Sequence, residues 1–209
     1  MTYIVIGAIG DSITQGYFDE EGLGWFGRLS QKIAKTFPLK YGFNNMSESG
    51  DRICDAYYRL TSELTKDCNI LIFAIGVNDI VRRGNADTQE DLSPLLRSKY
   101  WDKCFTLAKK TEAKILVLDI LPIIEIADGV MYDEEDPALY YFNKDIVEYN
   151  KLLKTKCLEN DAIFVERYKN WEDRNLSELY LDTVHPNAKG HQLIADEVYD
   201  ALVRLKLIG

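Results

Sequence analysis

Four short polar segments carry the residue types that acyl-transfer chemistry needs. A serine hydroxyl is a weak nucleophile at neutral pH, so it needs a base to take its proton and a third group to orient that base. Ser12 lies in the first segment, and Asp182 and His185 lie three residues apart in the last one. These three side chains are a possible nucleophile, orienting carboxylate and base. The segments are residues 10–14, 49–51, 76–79 and 182–186.

The same segments contain donors for the oxyanion that forms when a serine attacks a carbonyl group. Gly50 can present a backbone N–H with no side chain in the way, Asn78 can present a side-chain amide N–H, and the backbone N–H of Ser12 is a third candidate. Each residue also has a simpler explanation. Ser12 could cap a helix, Gly50 could serve a turn, and Asn78 could cap the turn after a strand.

The chain has only two histidines, so proton transfer near neutral pH has to be assigned to His185 or to His191. His191 lies on the apolar face of the last predicted helix, which favours a packed and hydrogen-bonded side chain. His185 lies before that helix, in a loop with Asp182. The sequence therefore favours His185 as the base.

Short apolar runs alternate with longer amphipathic ones, and this alternation predicts the elements that position the four segments. The strand candidates are residues 3–9, 39–46, 69–75, 114–121 and 161–167. The helix candidates are residues 25–36, 52–65, 88–111, 142–159 and a last helix capped by Asn187. Five strands alternating with helices predict one doubly wound α/β sheet, with no linker that would divide residues 1–209 into two domains. The first three polar segments follow strands, at the edge where such sheets bind ligands.

These motifs resemble the blocks of the SGNH (GDSL-type) hydrolases. The first block is similar to residues 10–13, with Ile13 in place of the leucine of the family's common name, and the most specific matches are residues 76–79 and 182–186. The resemblance implies Ser12 as nucleophile, Gly50 and Asn78 as oxyanion donors, and Asp182 and His185 as the rest of a triad. It also implies a flavodoxin-like three-layer α/β/α sandwich with a five-stranded parallel sheet in the order 2-1-3-4-5, and no metal or other cofactor.

Other chemistries fit these residues less well. The glycines of residues 7–10 match neither phosphate-binding spacing, and Asp11 would place a negative charge beside the phosphate. His185 and His191 are six residues apart, which does not suit a shared metal ion. Cys54 lies inside a predicted helix, where a buried and inert thiol is expected.

Composition excludes further classes of function. The chain combines 25 Lys and Arg with 34 Asp and Glu, for a formal net charge of −9, so nucleic acid is not an expected partner. No apolar run is long enough for a membrane span, and no signal peptide precedes the first strand. The four cysteines form no CxxC pair. We expect a cytoplasmic protein that acts on a small-molecule ester, and a homo-oligomer stays open.

Three further residues are candidates for substrate binding. They are Asp11, Arg82 and Tyr140, of which Arg82 could contact a carboxylate or phosphate and Tyr140 belongs to a long loop over residues 122–141. The acidic run of Asp19, Glu20 and Glu21 is interpreted as a solvated loop face.

The sequence thus predicts a serine esterase or acylhydrolase. An acyltransferase that uses the same triad, and a catalytically silent binding module on the same fold, are the alternatives. The substrate stays open among short acyl esters, lysophospholipids, thioesters and acetylated sugars.

Overall fold

The computed structural model describes residues 3–60 and 68–209, and its centre is a five-stranded parallel sheet. The strands run in the order β2-β1-β3-β5-β7, which is the predicted 2-1-3-4-5 order once a small separate sheet is set aside. The register pairs Ile6 of β1 with Phe43 and Ile70 of its two neighbours. The strands of this sheet are β1 (Ile4–Gly10), β2 (Tyr41–Asn45), β3 (Ile70–Ala74), β5 (Lys114–Leu118) and β7 (Ile163–Val165).

Seven α-helices are described, and they complete the predicted three layers. They are α1 (Ser12–Gln15), α2 (Gly24–Thr36), α3 (Ile53–Arg59), α4 (Pro94–Ala108), α5 (Asn143–Glu159), α6 (Tyr168–Glu172) and α7 (Ala188–Arg204). Short 3-10 turns are formed by Val77–Asp79, Lys109–Thr111 and Leu176–Glu178. In the part of the chain that the structure describes, no helix combines the length and the apolar character that crossing a bilayer requires.

Two apolar cores cover the two faces of the sheet. On one face, Trp25 and Leu29 of α2 pack with Val198 of α7 against Ile6 and Ile72. On the other face, Ile53 of α3, Trp101 of α4 and Tyr149 of α5 pack against Leu71 and Phe73. Because neighbouring residues of a strand point to opposite faces, a sheet covered on both sides needs nearly continuous apolar strands. This requirement is what the apolar runs of the sequence reflect.

A second, two-stranded sheet was not predicted. Its strands are β4 (Arg82–Arg83) and β6 (Leu139–Tyr140), and Arg82 pairs with Tyr140 in antiparallel register. The loop predicted over residues 122–141 is therefore partly ordered by backbone pairing. Strands of two residues have too few side chains to show an alternating pattern, so the sequence contained no signal for them.

The helix predicted over residues 88–111 was too long at its amino end. The observed α4 begins at Pro94, with Ser93 as its N-cap, because a residue before proline is pushed out of the helical conformation and proline itself suits the first turn. The preceding stretch consists of bends and one isolated β-bridge, between Glu90 and Arg82, and the backbone N–H of Asp91 donates to the carbonyl of Val81. Of the helix predicted over 52–65, residues 53–59 are helical, and residues 61–67 lie outside the described residues.

A buried polar network ties four elements together beneath the carboxyl edge of the sheet. Asp79 is fully buried and accepts hydrogen bonds from the backbone N–H of Ile53 (2.9 Å) and from the hydroxyl of Tyr149. The indole N–H of Trp101 donates to the same hydroxyl at 2.9 Å. Burial raises the pKa of Asp79 to about 7, against the lowering effect of the Tyr149 and Ile53 hydrogen bonds.

Replacement of Asp79 with Asn should change how stability depends on pH. Because the pKa of Asp79 is higher in the folded than in the unfolded chain, the folded state binds the extra proton between about pH 4 and pH 7. The stability contributed by this proton is present at low pH and is lost as the pH rises through about 7. Between about pH 4 and pH 7, the free energy of unfolding measured with urea should fall less steeply with rising pH for Asp79→Asn than for the natural protein. The difference in slope should be up to about 1.4 kcal/mol per pH unit. Equal slopes would contradict the raised pKa.

Two leucines of α5 offer a matched test of the core. Leu153 is 1% exposed and packs in the core that contains Trp101, whereas Leu158 on the same helix is 80% exposed. Leu153→Ala should lower the free energy of unfolding by about 2–5 kcal/mol, and Leu158→Ala should change it by less than about 0.5 kcal/mol. Chemical denaturation measures both values, and similar losses in the two variants would contradict the packing described.

Candidate active site

Ser12 occupies the turn between the first strand and the first helix. Strand β1 ends at Gly10, and Asp11 caps the short helix α1 by accepting a hydrogen bond from the backbone N–H of Ile13 at 3.1 Å. This cap explains why the chain turns directly after the strand, since Asp is among the preferred N-cap residues. Ser12 is therefore the first helical residue, at the carboxyl edge of the sheet. Its side chain is nearly buried but reaches His185.

The structure brings Ser12, His185 and Asp182 into one chain of hydrogen bonds. Ser12 Oγ lies 2.9 Å from His185 Nε2, and His185 Nδ1 lies 2.7 Å from Asp182 Oδ2. A carboxylate can only accept, so the Nδ1 atom carries a proton and donates it to Asp182, and Nε2 is left to accept from the Ser12 hydroxyl. This arrangement has the order and the tautomer that an activated serine requires.

Asp182 is held in place by its own segment. Its Oδ1 atom accepts from the backbone N–H groups of Val184 (2.7 Å) and His185 (2.6 Å). Burial alone would raise the pKa of Asp182, but the hydrogen bonds from the His185 side chain and backbone outweigh it and hold the pKa below its ordinary value. Asp182 is thus anionic at neutral pH, which is the state that stabilises a protonated His185.

The segment that contains Gly50 lies against the end of β1. The backbone N–H of Glu48 donates to the carbonyl of Gly10 at 3.2 Å, and Asn78 Nδ2 donates to the carbonyl of Asp51 at 3.0 Å. Gly50 has φ +81°, a left-handed conformation that favours glycine, and the space beside its Cα is open. One N–H of the Asn78 amide is used on the loop, and an amide nitrogen has a second N–H to offer.

The turn that carries Asn78 also depends on a glycine. Gly76 has φ +140°, and a Cβ at this position would lie 2.8 Å from the Ile120 side chain and 2.9 Å from the ring of Tyr149. A side chain would therefore meet both backbone strain and a clash. Close packing against Ile120 and Tyr149 therefore fixes the turn that carries Asn78.

The three candidates for substrate binding have partners within the protein. Asp11 is buried, and burial raises its pKa to about 6, opposed by the hydrogen bond from Ile13. Tyr140 donates its hydroxyl to the carbonyl of Asp128 at 3.3 Å. The guanidinium of Arg82 binds Asp145 at 2.7 Å and the carbonyl of Thr88 at 3.1 Å. These contacts give Arg82 a structural role, and its contact with a substrate anion stays a prediction.

His191 is packed in the core, as expected. The side chain is 0% exposed, and its ring interacts with the backbone of Tyr17, which opposes the effect of burial on its pKa. Burial lowers the pKa of His191 to about 4. A neutral, enclosed imidazole is consistent with a core position and cannot exchange protons with a substrate at the sheet edge.

In the acidic run after α1, Glu20 and Glu21 are exposed, as the sequence indicated, but Asp19 is not. Asp19 is buried and binds the guanidinium of Arg28, and its carboxylate also accepts from the backbone N–H groups of Leu23 (2.9 Å) and Gly24 (2.7 Å). Glu21 binds the same guanidinium at 2.8 Å. A run of acidic residues indicates charge but not its partners, and the partner of Asp19 is an arginine on α2.

Sequence reasoning missed two aromatic residues beside His185. The rings of Phe18 and Tyr17 have their centroids 5.2 and 5.7 Å from that of His185. Both residues directly follow α1, so their distance in sequence from Ser12 was the one available signal.

Known proteins are similar to this chain in sequence and in fold. The profile of the GDSL-like Lipase/Acylhydrolase family matches residues 8–193. The uncharacterized protein YpmR of Bacillus subtilis (strain 168) is 26% identical over 221 residues, which cover 96% of this chain and 82% of YpmR.

Two solved structures illustrate the likeness of fold. LAE5, an alpha/beta hydrolase enzyme from the metagenome of Lake Arreo, Spain, is 20% identical, with 98% of each chain covered and a TM-score of 0.75. The acetyl xylan esterase AlAXEase is 22% identical, with 95% of this chain and 100% of that chain covered and a TM-score of 0.72. The family profile spans nearly the whole sheet and all four motifs, and the chain therefore belongs to the GDSL-like lipase/acylhydrolase family, whose members are hydrolases that act on ester bonds.

Proposed function

We propose that this protein is a serine esterase that hydrolyses carboxylic esters through a covalent acyl-enzyme. The observation that carries the proposal is the continuous hydrogen-bonded chain from Ser12 Oγ to His185 and on to Asp182, with distances of 2.9 and 2.7 Å. Side chains 173 positions apart are brought into the contact that proton transfer needs. A fold kept only for binding has no need of this alignment.

The first half of the reaction forms the acyl-enzyme. His185 Nε2 takes the proton of Ser12 as Oγ bonds to the ester carbonyl carbon, and the carbonyl oxygen becomes an oxyanion. Asp182, which stays ionised, stabilises the imidazolium. The carbon–oxygen bond to the alcohol then breaks, and His185 returns its proton to the departing alcohol oxygen.

The second half repeats these steps with water. His185 takes a proton from a water molecule that attacks the acyl carbon, and it then returns the proton to Ser12 Oγ as the carboxylic acid leaves. In both halves the oxyanion is stabilised by the backbone N–H groups of Ser12 and Gly50 and by the free amide N–H of Asn78. Donors fixed in advance are effective because they need no reorientation as the charge develops.

The proposal covers esters of short acyl groups, lysophospholipids, thioesters and acetylated sugars. The described relative AlAXEase is an acetyl xylan esterase, which makes acetyl esters the first substrates to assay. We further propose that the fold acts as one domain over residues 1–209, with no cofactor in the reaction.

The triad assignment is tested by Ser12→Ala and His185→Gln. Each variant should lose about 10⁴- to 10⁶-fold in kcat on p-nitrophenyl acetate, because removal of the nucleophile or of the base disables the whole unit. Ser12→Ala should also lose covalent labelling by a fluorophosphonate probe. Hydrolysis near the natural rate in either variant would disprove the mechanism.

The second histidine provides the matched control. His191→Gln changes the same residue type only six positions away, in the core. It should lower the melting temperature and leave kcat within a few-fold of the natural value. A His191 variant that is stable but inactive, beside an active His185 variant, would reverse the assignment.

Asn78→Ala tests the oxyanion site separately. Loss of one oxyanion donor should lower kcat by about 10²–10³-fold with a smaller change in KM, because the contact strengthens only as the charge develops. Asn160→Ala removes an asparagine side chain beyond the end of α5 and is the control, with kcat expected to stay unchanged. If a folded Asn78→Ala protein loses less than tenfold in kcat, Asn78 is not an oxyanion donor and serves only to hold the loop through its hydrogen bond to Asp51.

A further inference from the structure

Two exposed aromatic rings flank the imidazole of His185. The ring of Phe18 meets it edge-on, at 83° and a centroid distance of 5.2 Å, and the ring of Tyr17 lies 5.7 Å away. The two rings also contact each other, with centroids 4.4 Å apart. Phe18 is 38% exposed and Tyr17 is 49% exposed. We call these two side chains the aromatic pair.

The segment that carries the aromatic pair is fixed at both ends. On its amino side, the backbone N–H of Tyr17 donates to the carbonyl of Ser12 at 2.9 Å. On its carboxyl side, Asp19 is held by the buried guanidinium of Arg28. Glu20 accepts at 2.8 Å from the backbone N–H of Ala188, the first residue of α7. The pair is thus tied both to the nucleophile and to the helix that follows His185.

The backbone of Phe18 has a conformation that is unfavourable for a bulky residue. Its φ of +60° lies in the left-handed region, which a bulky side chain rarely adopts. A large apolar residue that is strained and partly exposed gains little from folding alone. Such positions are often found where a ligand supplies the missing contact.

The chemistry of the proposed esterase determines which part of the substrate reaches the pair. His185 Nε2 must come within about 2.6–3.2 Å of the departing alcohol oxygen in order to protonate it. The carbon skeleton attached to that oxygen then lies beside whatever borders the imidazole, and the aromatic pair borders it.

We propose that Tyr17 and Phe18 bind the alcohol part of the ester and select alcohols that contain a ring. A flat aryl ring or the apolar face of a sugar ring can pack against aromatic side chains, whereas a short open-chain alcohol covers little of their surface. The inference rests on the proposed function, and it names the class of leaving group for the same site.

The test compares esters that share an acetyl group and differ in the alcohol. Benzyl acetate and an acetylated methyl xyloside carry rings of the two kinds, and propyl acetate carries none. Phe18→Ala and Tyr17→Ala should each lower kcat/KM on at least one ring-bearing ester by about tenfold or more, mainly through KM, and should change the value for propyl acetate less than threefold. Because each variant is compared with the natural protein on the same ester, differences in intrinsic ester reactivity cancel.

Three further variants separate recognition from folding. Phe18→Leu keeps apolar volume without a flat ring, and should show the same selective loss if the alanine variant is unstable. Tyr17→Phe keeps the ring and should retain the natural preference. Tyr3→Ala removes an exposed tyrosine at the amino end of β1, away from His185, and should change kcat/KM on neither kind of ester.

The outcomes are distinct. A selective loss on the aryl ester, the sugar ester or both supports the inference and shows which ring is preferred. An equal fall in kcat on all three esters would mean that the pair positions His185 and does not bind the alcohol, and unchanged values on all three would also overturn the inference. Absence of both hydrolysis and fluorophosphonate labelling in the natural protein would instead overturn the proposed function.

Discussion

Parallel pairing of β1 with β2 on one side and β3 on the other is the constraint on which the site depends. Parallel strands all end at the same edge, so the residues that follow them meet in space although they are far apart in sequence. Ser12 follows β1, Gly50 follows β2 and Asn78 follows β3, and an antiparallel β1 would place Ser12 at the opposite end of the strands from Gly50 and Asn78. The fourth segment, with Asp182 and His185, does not follow a strand of this sheet directly and lies in the loop that leads into α7.

Buried polar groups fix the positions of the loops at this common edge. Asp79 joins the Asn78 turn to the start of α3 through the backbone of Ile53, and Asp19 joins the segment after α1 to α2 through Arg28. Removing a carboxylate from water is costly unless donors surround it. Among the described residues, Asp79 has two donors and Asp19 has five, and only in Asp19, beside a guanidinium, do they overcome burial and lower the pKa. At neutral pH the ionised Asp19 therefore stabilises the fold, whereas the raised pKa of Asp79 costs stability as the pH rises through about 7.

The sequence was informative where a residue's role follows from its type and local context. The five strands and the candidate residues Ser12, Asp182 and His185 needed only motif spacing and apolar runs, whereas the strand order came from the resemblance to a known family. What the sequence did not indicate has a common physical cause, which is that partners distant in sequence decide the outcome. The carboxylate that binds Arg82 belongs to Asp145, 63 positions away. Asp19 was assigned to solvent because nothing in an acidic run points to Arg28. The start of α4 is the exception, since Ser93 and Pro94 carried the signal.

The two histidines differ in their partners more than in their exposure, since His185 is 8% exposed and His191 is 0% exposed. His185 is preceded by a turn in which Asp182 accepts from its backbone and from its ring, so one nitrogen is committed and the other faces Ser12. His191 is enclosed in the core, where burial lowers its pKa to about 4 against the opposing effects of Asp19 and the Tyr17 backbone. The proposed base is therefore the imidazole that contacts both a serine hydroxyl and a carboxylate.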